Sequence, residues 1–210
     1  MPTLLRIDSS ADLTGSRSRA LTDAFVEAWT ARGGDHTVAV RDLHRNPLPH
    51  LSTPARHWPE QLRDGATVPD ELESVQKEVV DELLAADAVV IGAPMYNYSM
   101  PATLKNWVDL IHVPGLTAPF PGAEAQPMAG RGVVLLTAQG AAYDRGTTTE
   151  HDDHVIPPLR LVLGANLGMT VHVVAASRTL ADRIPALGAD RAEQEFADAE
   201  AEARRLGTQL

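Results

Sequence analysis

The chain has 210 residues, a formal net charge of −10 and no cysteine. This length predicts a single domain over residues 1–210, large enough to bury a core without cross-links. The lack of cysteine excludes disulfides, thiolate nucleophiles and cysteine-bound zinc or iron–sulfur sites. The acidic charge argues against a nucleic-acid or anionic-membrane partner. No apolar run reaches the roughly 20 residues of a membrane span, and the first residues do not resemble a secretory signal, so we expect a cytoplasmic protein.

Strands and helices are predicted to alternate along the chain. In chain order they are a strand at 4–8, a helix around 20–29, a strand at 37–40, a helix at 70–83, a strand at 88–93, a helix at 101–111, a strand at 133–137, a short helix at 159–165, a strand at 169–175 and a helix at 192–206. Five prolines between residues 44 and 69 argue against regular structure there. A second Pro/Gly-rich connection covers residues 114–130.

Three of these elements have the clearest signals. The first helix has Ser16 as its predicted N-cap and Gly33-Gly34 as its stop. The second helix carries apolar residues at positions 72, 75, 79 and 83, a spacing typical of an amphipathic helix. The strand at 88–93 is apolar on both faces, which is typical of a central parallel strand.

The alternation predicts an α/β protein in three layers, with a five-stranded parallel sheet and helices on both faces. In such sheets ligands bind beyond the carboxyl ends of the strands, where the strand order reverses. Three segments follow predicted strands, at residues 9–18, 94–99 and 138–146. We therefore expect these segments to meet at one crevice.

The segment at 9–18 has the features of an anion-binding turn. It joins a strand to a helix N-terminus, where free N–H groups and the helix dipole attract negative charge. Ser10, Ser16 and Ser18 add hydroxyl groups, and Gly15 permits a tight turn. A phosphate monoester would suit this site, whereas the GxGxxG and GxxxxGK[ST] patterns of dinucleotide and triphosphate binding are absent. The alternative is that the serines only cap the helix.

The segment at 94–99 brings aromatic and amide groups together. Met95, Tyr96, Asn97 and Tyr98 follow one another directly. A flat heteroaromatic ligand needs an apolar face and polar groups at its edge, and these side chains supply both. The alternative is a proline-bounded turn with half-exposed tyrosines.

These residues resemble a known family. Ser9-Ser10 with Ser16 and Ser18, then Ala-Pro-Met-Tyr-Asn-Tyr at 93–98 and Leu-Lys-Asn-Trp-Val-Asp-Leu at 104–110, are similar to the FMN-dependent NADH:azoreductase and NADH:quinone oxidoreductase family. The resemblance covers nearly the whole chain, and the middle motif is its most specific part. It implies a flavodoxin-like fold.

The resemblance also implies which residues bind the cofactor. The FMN phosphate would be held by Ser10, Ser16, Arg17 and Ser18, and the isoalloxazine ring would be lined by Met95, Tyr96, Asn97 and Tyr98. In the family the loop after the fourth strand usually reads Ser-Arg-Gly-Gly, but here it is Ala-Gln-Gly-Ala. Backbone contacts from Gln139 and Gly140 are what the resemblance leaves for this loop.

The family's mechanism would follow from the bound flavin. NADH or NADPH would pass a hydride to FMN, and a quinone or azo compound would then take two electrons in the same pocket. No catalytic side chain and no metal are implied.

Family members are homodimers with FMN at the subunit interface, so the two Pro-rich stretches would shape the pocket or the dimer contact. Phe120 is a candidate to close over the flavin. Arg17 and Arg145 are candidates to favour NADPH.

Other interpretations remain open. A flavodoxin-like electron carrier or flavin sensor would share the fold but lack turnover. A Ser/His/Asp hydrolase using Ser9 or Ser10 would need a nucleophile elbow, and the GxSxG pattern is absent. The run from His151 to His154 could ligate a metal, although a solvated run that caps the following helix is favoured. Asp8 stands close to the phosphate turn, and its carboxylate would repel a phosphate unless it faces away.

Overall fold

A parallel sheet forms the centre of the structure, a computed structural model that describes residues 1–144 and 146–210. Its strands are β1 (Thr3–Asp8), β2 (Thr37–Asp42), β3 (Ala88–Pro94), β4 (Gly132–Ala138) and β5 (Thr170–Ala176). They lie in the order β2-β1-β3-β4-β5, and each neighbouring pair is parallel. The order reverses between β1 and β3, so the predicted ligand crevice lies beyond the ends of these two strands.

The helices cover both faces of the sheet. They are α1 (Arg17–Thr30), α2 (Asp70–Ala85), α3 (Ala102–Ile111), α4 (Ile156–Leu159) and α5 (Ala189–Gln209). One buried cluster joins α1 and α5 to the sheet through Phe25, Val90 and Ala203. The other joins α2, α3 and α4 through Leu83, Ile91 and Trp107. Because Val90 and Ile91 point to opposite faces, the central strand is buried on both sides, as predicted.

Several elements differ in extent from the prediction. Strand β2 continues to Asp42, and α5 begins at Ala189 and ends at Gln209. The Pro-rich stretch at 44–69 contains two short 3-10 helices, Pro54–His57 and Glu60–Leu62, where no regular element was predicted. Prolines are tolerated there because they occupy the first turn or the N-cap. The predicted short helix is α4 followed by a π-helical segment, Arg160–Asn166.

Buried polar side chains fasten the Pro-rich stretch to the helices beneath it. Asn106 of α3 donates from Nδ2 to the carbonyl oxygens of Leu48 and Pro49, at 2.8 and 3.1 Å. Gln76 of α2 donates to the carbonyl of Arg56 at 2.9 Å. The stretch is therefore held as a fixed covering rather than as a free loop. Among the helices of the described residues, none is long and apolar enough to cross a membrane.

Candidate active site

The three segments that follow β1, β3 and β4 meet at one edge of the sheet. The hydroxyl of Tyr96, after β3, lies 3.2 Å from Oγ of Ser10, after β1. The same hydroxyl accepts a hydrogen bond of 3.0 Å from the backbone N–H of Ala11. On the other side, the N–H of Met95 donates to the carbonyl of Ala138 at the end of β4, at 2.9 Å. The three segments therefore lie side by side, as predicted.

Asp12 shapes the turn between β1 and α1. Its Oδ1 accepts from the backbone N–H groups of Thr14 and Gly15, at 2.9 and 2.8 Å. The bonds from Gly15 and Thr14 lower the pKa of Asp12 below its ordinary value, because they stabilise the ionised carboxylate. Ser16 then caps α1, with its Oγ accepting from the N–H of Arg19 at 3.3 Å.

The beginning of α1 retains donors for an anion. The backbone N–H groups of Arg17 and Ser18 bond to no acceptor within residues 1–144 and 146–210. The hydroxyls of Ser16 and Ser18 lie 3.2 Å apart, with Ser18 fully buried behind the partly exposed Ser16. Helix capping and anion binding are therefore compatible here, because Ser16 caps the helix while the first N–H groups stay available.

The side chain of Arg17 is placed elsewhere. Its guanidinium lies 4.3 Å from the centre of the Phe196 ring on α5, an arrangement typical of a cation–π contact. At the β1–α1 turn Arg17 therefore offers its backbone N–H, while its charge packs against α5. Arg145, the other candidate for nucleotide preference, lies outside the described residues.

The segment after β3 forms a two-residue turn in a strained conformation. Tyr96 and Ser99 exchange backbone hydrogen bonds of 2.8 and 3.2 Å. Between them Asn97 has φ of 49° and Tyr98 has φ of 72°, so both occupy the left-handed region. This is the pattern of a type I′ turn. For a tyrosine that region costs about 1–2 kcal/mol, and such strain is concentrated at functional sites.

The turn presents its aromatic rings to solvent. Tyr96 is 40% exposed and Tyr98 is 55% exposed, while Met95 beside them is half-buried. Tyr96 is held by its hydroxyl, whereas its ring remains accessible. The turn therefore presents the exposed Tyr96, Asn97 and Tyr98 next to the half-buried Met95, and Tyr96 contacts the β1–α1 turn.

The loop after β4 offers backbone donors instead of side chains. Gln139 is buried, and its Nε2 donates to Oδ2 of Asp153 at 3.1 Å, so its amide is turned to α4. The N–H groups of Gly140 and Ala141 bond to no acceptor in the described part of the chain. Tyr143 stands farther along this loop. Burial and the neighbouring Tyr98 raise its pKa, so the phenol remains protonated at neutral pH.

The run from His151 to His154 caps the next helix. Oδ1 of Asp153 accepts from the N–H groups of Val155 and Ile156 at 2.7 and 3.1 Å, which makes it the cap of α4. The N–H of His154 donates to the carbonyl of Tyr98 at 2.9 Å and so braces the tyrosine turn. Within residues 1–144 and 146–210, no group of three or more His, Asp or Glu side chains is placed to hold a metal.

Asp8 is neutralised within the protein. Its Oδ2 accepts from Nε of Arg6 at 2.7 Å and lies 3.7 Å from Nη1 of Arg19, and its Oδ1 accepts from the Thr22 hydroxyl at 2.9 Å. With its charge compensated, Asp8 is compatible with a phosphate nearby. Sequence reasoning missed Arg19 and its partner Asp42, because their positions in the chain give no sign that they meet.

The hydrolase interpretation finds no support in this arrangement. The hydroxyl of Ser9 donates to the carbonyl of Gly92 at 2.7 Å in a buried position. Ser10 is buried beside Tyr96, and no histidine bonds to either serine among the described residues.

Phe120, the candidate cover for the flavin, packs edge-on against Trp58 with ring centres 5.7 Å apart.

Comparisons with known proteins agree with this geometry. A family model described as flavodoxin-like fold matches residues 2–206. The FMN-dependent NADH:quinone oxidoreductase of Kineococcus radiotolerans is 51% identical over 213 residues, covering 100% of both chains. The protein of the same name from Frankia alni is 39% identical and covers 89% of each chain. The crystal structure of azoreductase from Bacillus anthracis superposes with a TM-score of 0.83 at 20% identity, covering 100% of each chain, and this similarity shows the fold. The chain belongs to the flavodoxin-like family of FMN-dependent NADH:quinone oxidoreductases.

Proposed function

We propose that this protein is an FMN-dependent oxidoreductase that transfers reducing equivalents from NADH to quinones. The observation that carries the proposal is the contact of the Tyr96 hydroxyl with the Ser10 hydroxyl and the Ala11 N–H, which joins the serine-rich β1–α1 turn to the tyrosine turn. FMN, when bound, supplies the redox chemistry by accepting two electrons from a nicotinamide and releasing them to an acceptor. The names of the curated relatives support both the cofactor and the quinone.

The residues at the crevice fit the two ends of FMN. At the phosphate end, Ser10, Ser16 and the N–H groups of Arg17 and Ser18 would bind the anion, with the Ser18 hydroxyl behind them. At the ring end, Met95, Tyr96, Asn97 and Tyr98 would line the isoalloxazine, with the backbone N–H groups of Gly140 and Ala141 at its edge. The backbone of Gln139 does not take part, because its N–H donates to the carbonyl of Ala176 at 2.9 Å.

The protein's part in the reaction is binding and orientation. The donors at the start of α1 would hold the phosphate end of the cofactor, and the strained tyrosine turn would hold the aromatic side chains against its ring. Burial and the neighbouring Tyr98 raise the pKa of Tyr143, so its phenol stays protonated at neutral pH. No charged nucleophile or general base is required of the chain, because the redox chemistry belongs to the cofactor.

The same open pocket would accept the two substrates in turn. No dinucleotide-binding motif is present, which suits a nicotinamide that binds briefly on the flavin and leaves. The relatives' names favour NADH over NADPH as the donor. Aromatic azo compounds are proposed as additional acceptors, supported by the fold shared with an azoreductase.

We propose further that residues 1–210 form one domain of a cytoplasmic homodimer with FMN near the subunit interface. All five strands belong to one sheet, which supports a single domain. In the single chain several large apolar side chains are exposed to solvent, among them Tyr98 (55% exposed), Leu161 (60%) and Leu116 (46%). Burial of such residues between two copies is the common arrangement of homodimers. Sedimentation velocity is expected to give the mass of two chains, and a monomer at micromolar concentration would contradict the dimer.

The proposal is tested first by flavin binding. Purified protein is expected to be yellow or to take up added FMN, and Ser16→Ala/Ser18→Ala is expected to weaken FMN binding. Ser74→Ala is the control, because this exposed serine lies on α2 and bonds only to its own helix. A wild-type protein that takes up no FMN would refute the proposed function. An unchanged affinity in the double variant would place the phosphate elsewhere. Repeated turnover of NADH with a quinone would exclude the electron-carrier alternative.

A further inference from the structure

Arg19 joins the phosphate turn to the end of β2. Its Nη2 donates to the carbonyl oxygen of Ser10 at 2.8 Å. Its two terminal nitrogens also donate to the two carboxylate oxygens of Asp42, at 2.8 and 3.0 Å. The side chains of Arg19 and Asp42 are each only 13% exposed. A guanidinium held on both oxygens of a carboxylate has a fixed orientation, so the bond to Ser10 is fixed as well.

Asp42 is itself anchored to the backbone. Its Oδ1 accepts from the N–H groups of His44 and Arg45, each at 3.1 Å. A continuous chain of hydrogen bonds therefore runs from the backbone after β2, through Asp42 and Arg19, to the Ser10 carbonyl. On its opposite side, the Ser10-Ala11 unit is held by the hydroxyl of Tyr96. The two attachments hold this unit of the phosphate turn between β2 and the tyrosine turn.

Arg19 also balances the negative charge behind the turn. The carboxylates of Asp8 and Asp42 lie 3.7 and 2.8 Å from its Nη1. Without Arg19, the buried Ser10 carbonyl would lose its donor and Asp42 would lose its buried counter-charge. Among the described residues, only the exposed Arg45, 3.6 Å from Oδ2 of Asp42, would then offset that carboxylate. A phosphate dianion bound at the turn would be repelled by it, whereas an uncharged ligand would not.

We propose that Arg19, locked by Asp42, is a positioning residue that holds the Ser10 turn in its phosphate-binding form and screens the bound phosphate from Asp8 and Asp42. This inference rests on the proposed function, because it assumes that the turn receives the phosphate of FMN. It assigns to Arg19 a role that acts through Ser10 and through charge, with no contact of its own to the cofactor.

The test compares FMN with riboflavin, which has the same ring and lacks the phosphate. Dissociation constants for both are measured by flavin fluorescence with wild-type protein and with Arg19→Gln. The matched control is Arg41→Gln, because Arg41 is 12% exposed and makes a two-point ion pair to Glu82 without contacting the phosphate turn. Thermal unfolding of each variant reports the stability loss that the two substitutions share.

Arg19→Gln is expected to weaken FMN binding at least tenfold while changing riboflavin binding by less than about twofold, in line with the loss of a charge-assisted contact. Arg41→Gln is expected to leave the ratio of the two affinities at the wild-type value. If Arg19→Gln does not fold, Arg19→Lys and Arg41→Lys replace the pair, and a lower FMN preference in the first alone is expected. Equal weakening of FMN and riboflavin, or no weakening of either, would overturn the proposal. Absence of FMN binding by wild-type protein would instead refute the proposed function.

Discussion

Replacing Asp42 with asparagine tests the electrostatics behind the β1–α1 turn through folding stability alone. Burial acts to raise the pKa of Asp42, but hydrogen bonds from Arg19 and from the backbone of Arg45 and His44, with the charge of Arg19, lower it to about 2. The carboxylate is thus more acidic in the folded than in the unfolded chain. Its contribution to stability is therefore complete above the ordinary pKa of 3.8 and is lost as the pH falls towards 2.

The two pKa values set the size of this contribution. At about 1.4 kcal/mol for each pH unit between 3.8 and about 2, Asp42 contributes about 2 kcal/mol at pH 7. Asp42→Asn keeps the size of the side chain and one acceptor oxygen, but removes the charge opposite Arg19. The variant is expected to be less stable than wild type by about 2 kcal/mol at pH 7, and by about half as much near pH 3.

Urea unfolding followed by circular dichroism at pH 7, 5, 4 and 3 measures this difference. Asp81→Asn is the control, since Asp81 pairs with Lys77 on the exposed face of α2 with 56% of its side chain accessible. Exposed pairs of this kind contribute little, so no measurable change is expected there. A stability difference between Asp42→Asn and wild type that is equal at pH 7 and pH 3, or absent at pH 7, would show that the Asp42 charge does not stabilise the fold.

Three further substitutions probe the fold and the crevice. Gly92→Ala places a Cβ 3.0 Å from Oδ1 of Asp8, so a loss of about 1–3 kcal/mol in urea unfolding is expected, whereas Gly34→Ala meets nothing within 4 Å and should be neutral. Tyr96→Phe removes the hydroxyl that holds the phosphate turn, so about fivefold weaker FMN binding is expected by fluorescence; unchanged affinity would show that the contact is dispensable. Asn106→Ala leaves two loop carbonyls without their donor and is expected to cost about 1–3 kcal/mol and to speed proteolysis of the stretch before α2; an unchanged digestion rate would contradict the clamp.

The order of strands and helices was predictable because each element carries a local periodic signal. The strand predicted at 88–93, apolar on both faces, is β3, and Ser16 caps α1 as predicted. Element ends were less predictable. Strand β2 continues to Asp42. A charged residue at this position is typical of a loop, but in the fold Asp42 is paired with Arg19. The short 3-10 helices near Pro54 depend on tertiary contacts that no periodicity records.

The sequence predicted which segments meet at the candidate site, but not the direction of every side chain within them. The positions of Ser10 and Tyr96 after two strands predicted that they meet, since parallel strands end at one edge. The side-chain directions of Arg17 and Gln139, turned towards Phe196 and Asp153, depend on packing against distant elements. The role of Arg19 was hidden for the same reason, because its partners come from β1 and β2.

The most direct measurement is an anaerobic titration of the FMN-loaded protein with NADH, followed by addition of a simple quinone. NADH is expected to bleach the flavin absorption band and the quinone to restore it, with many turnovers when both substrates are in excess. A flavin band that NADH leaves unchanged, or a reduced protein that the quinone does not reoxidise, would contradict a quinone reductase activity.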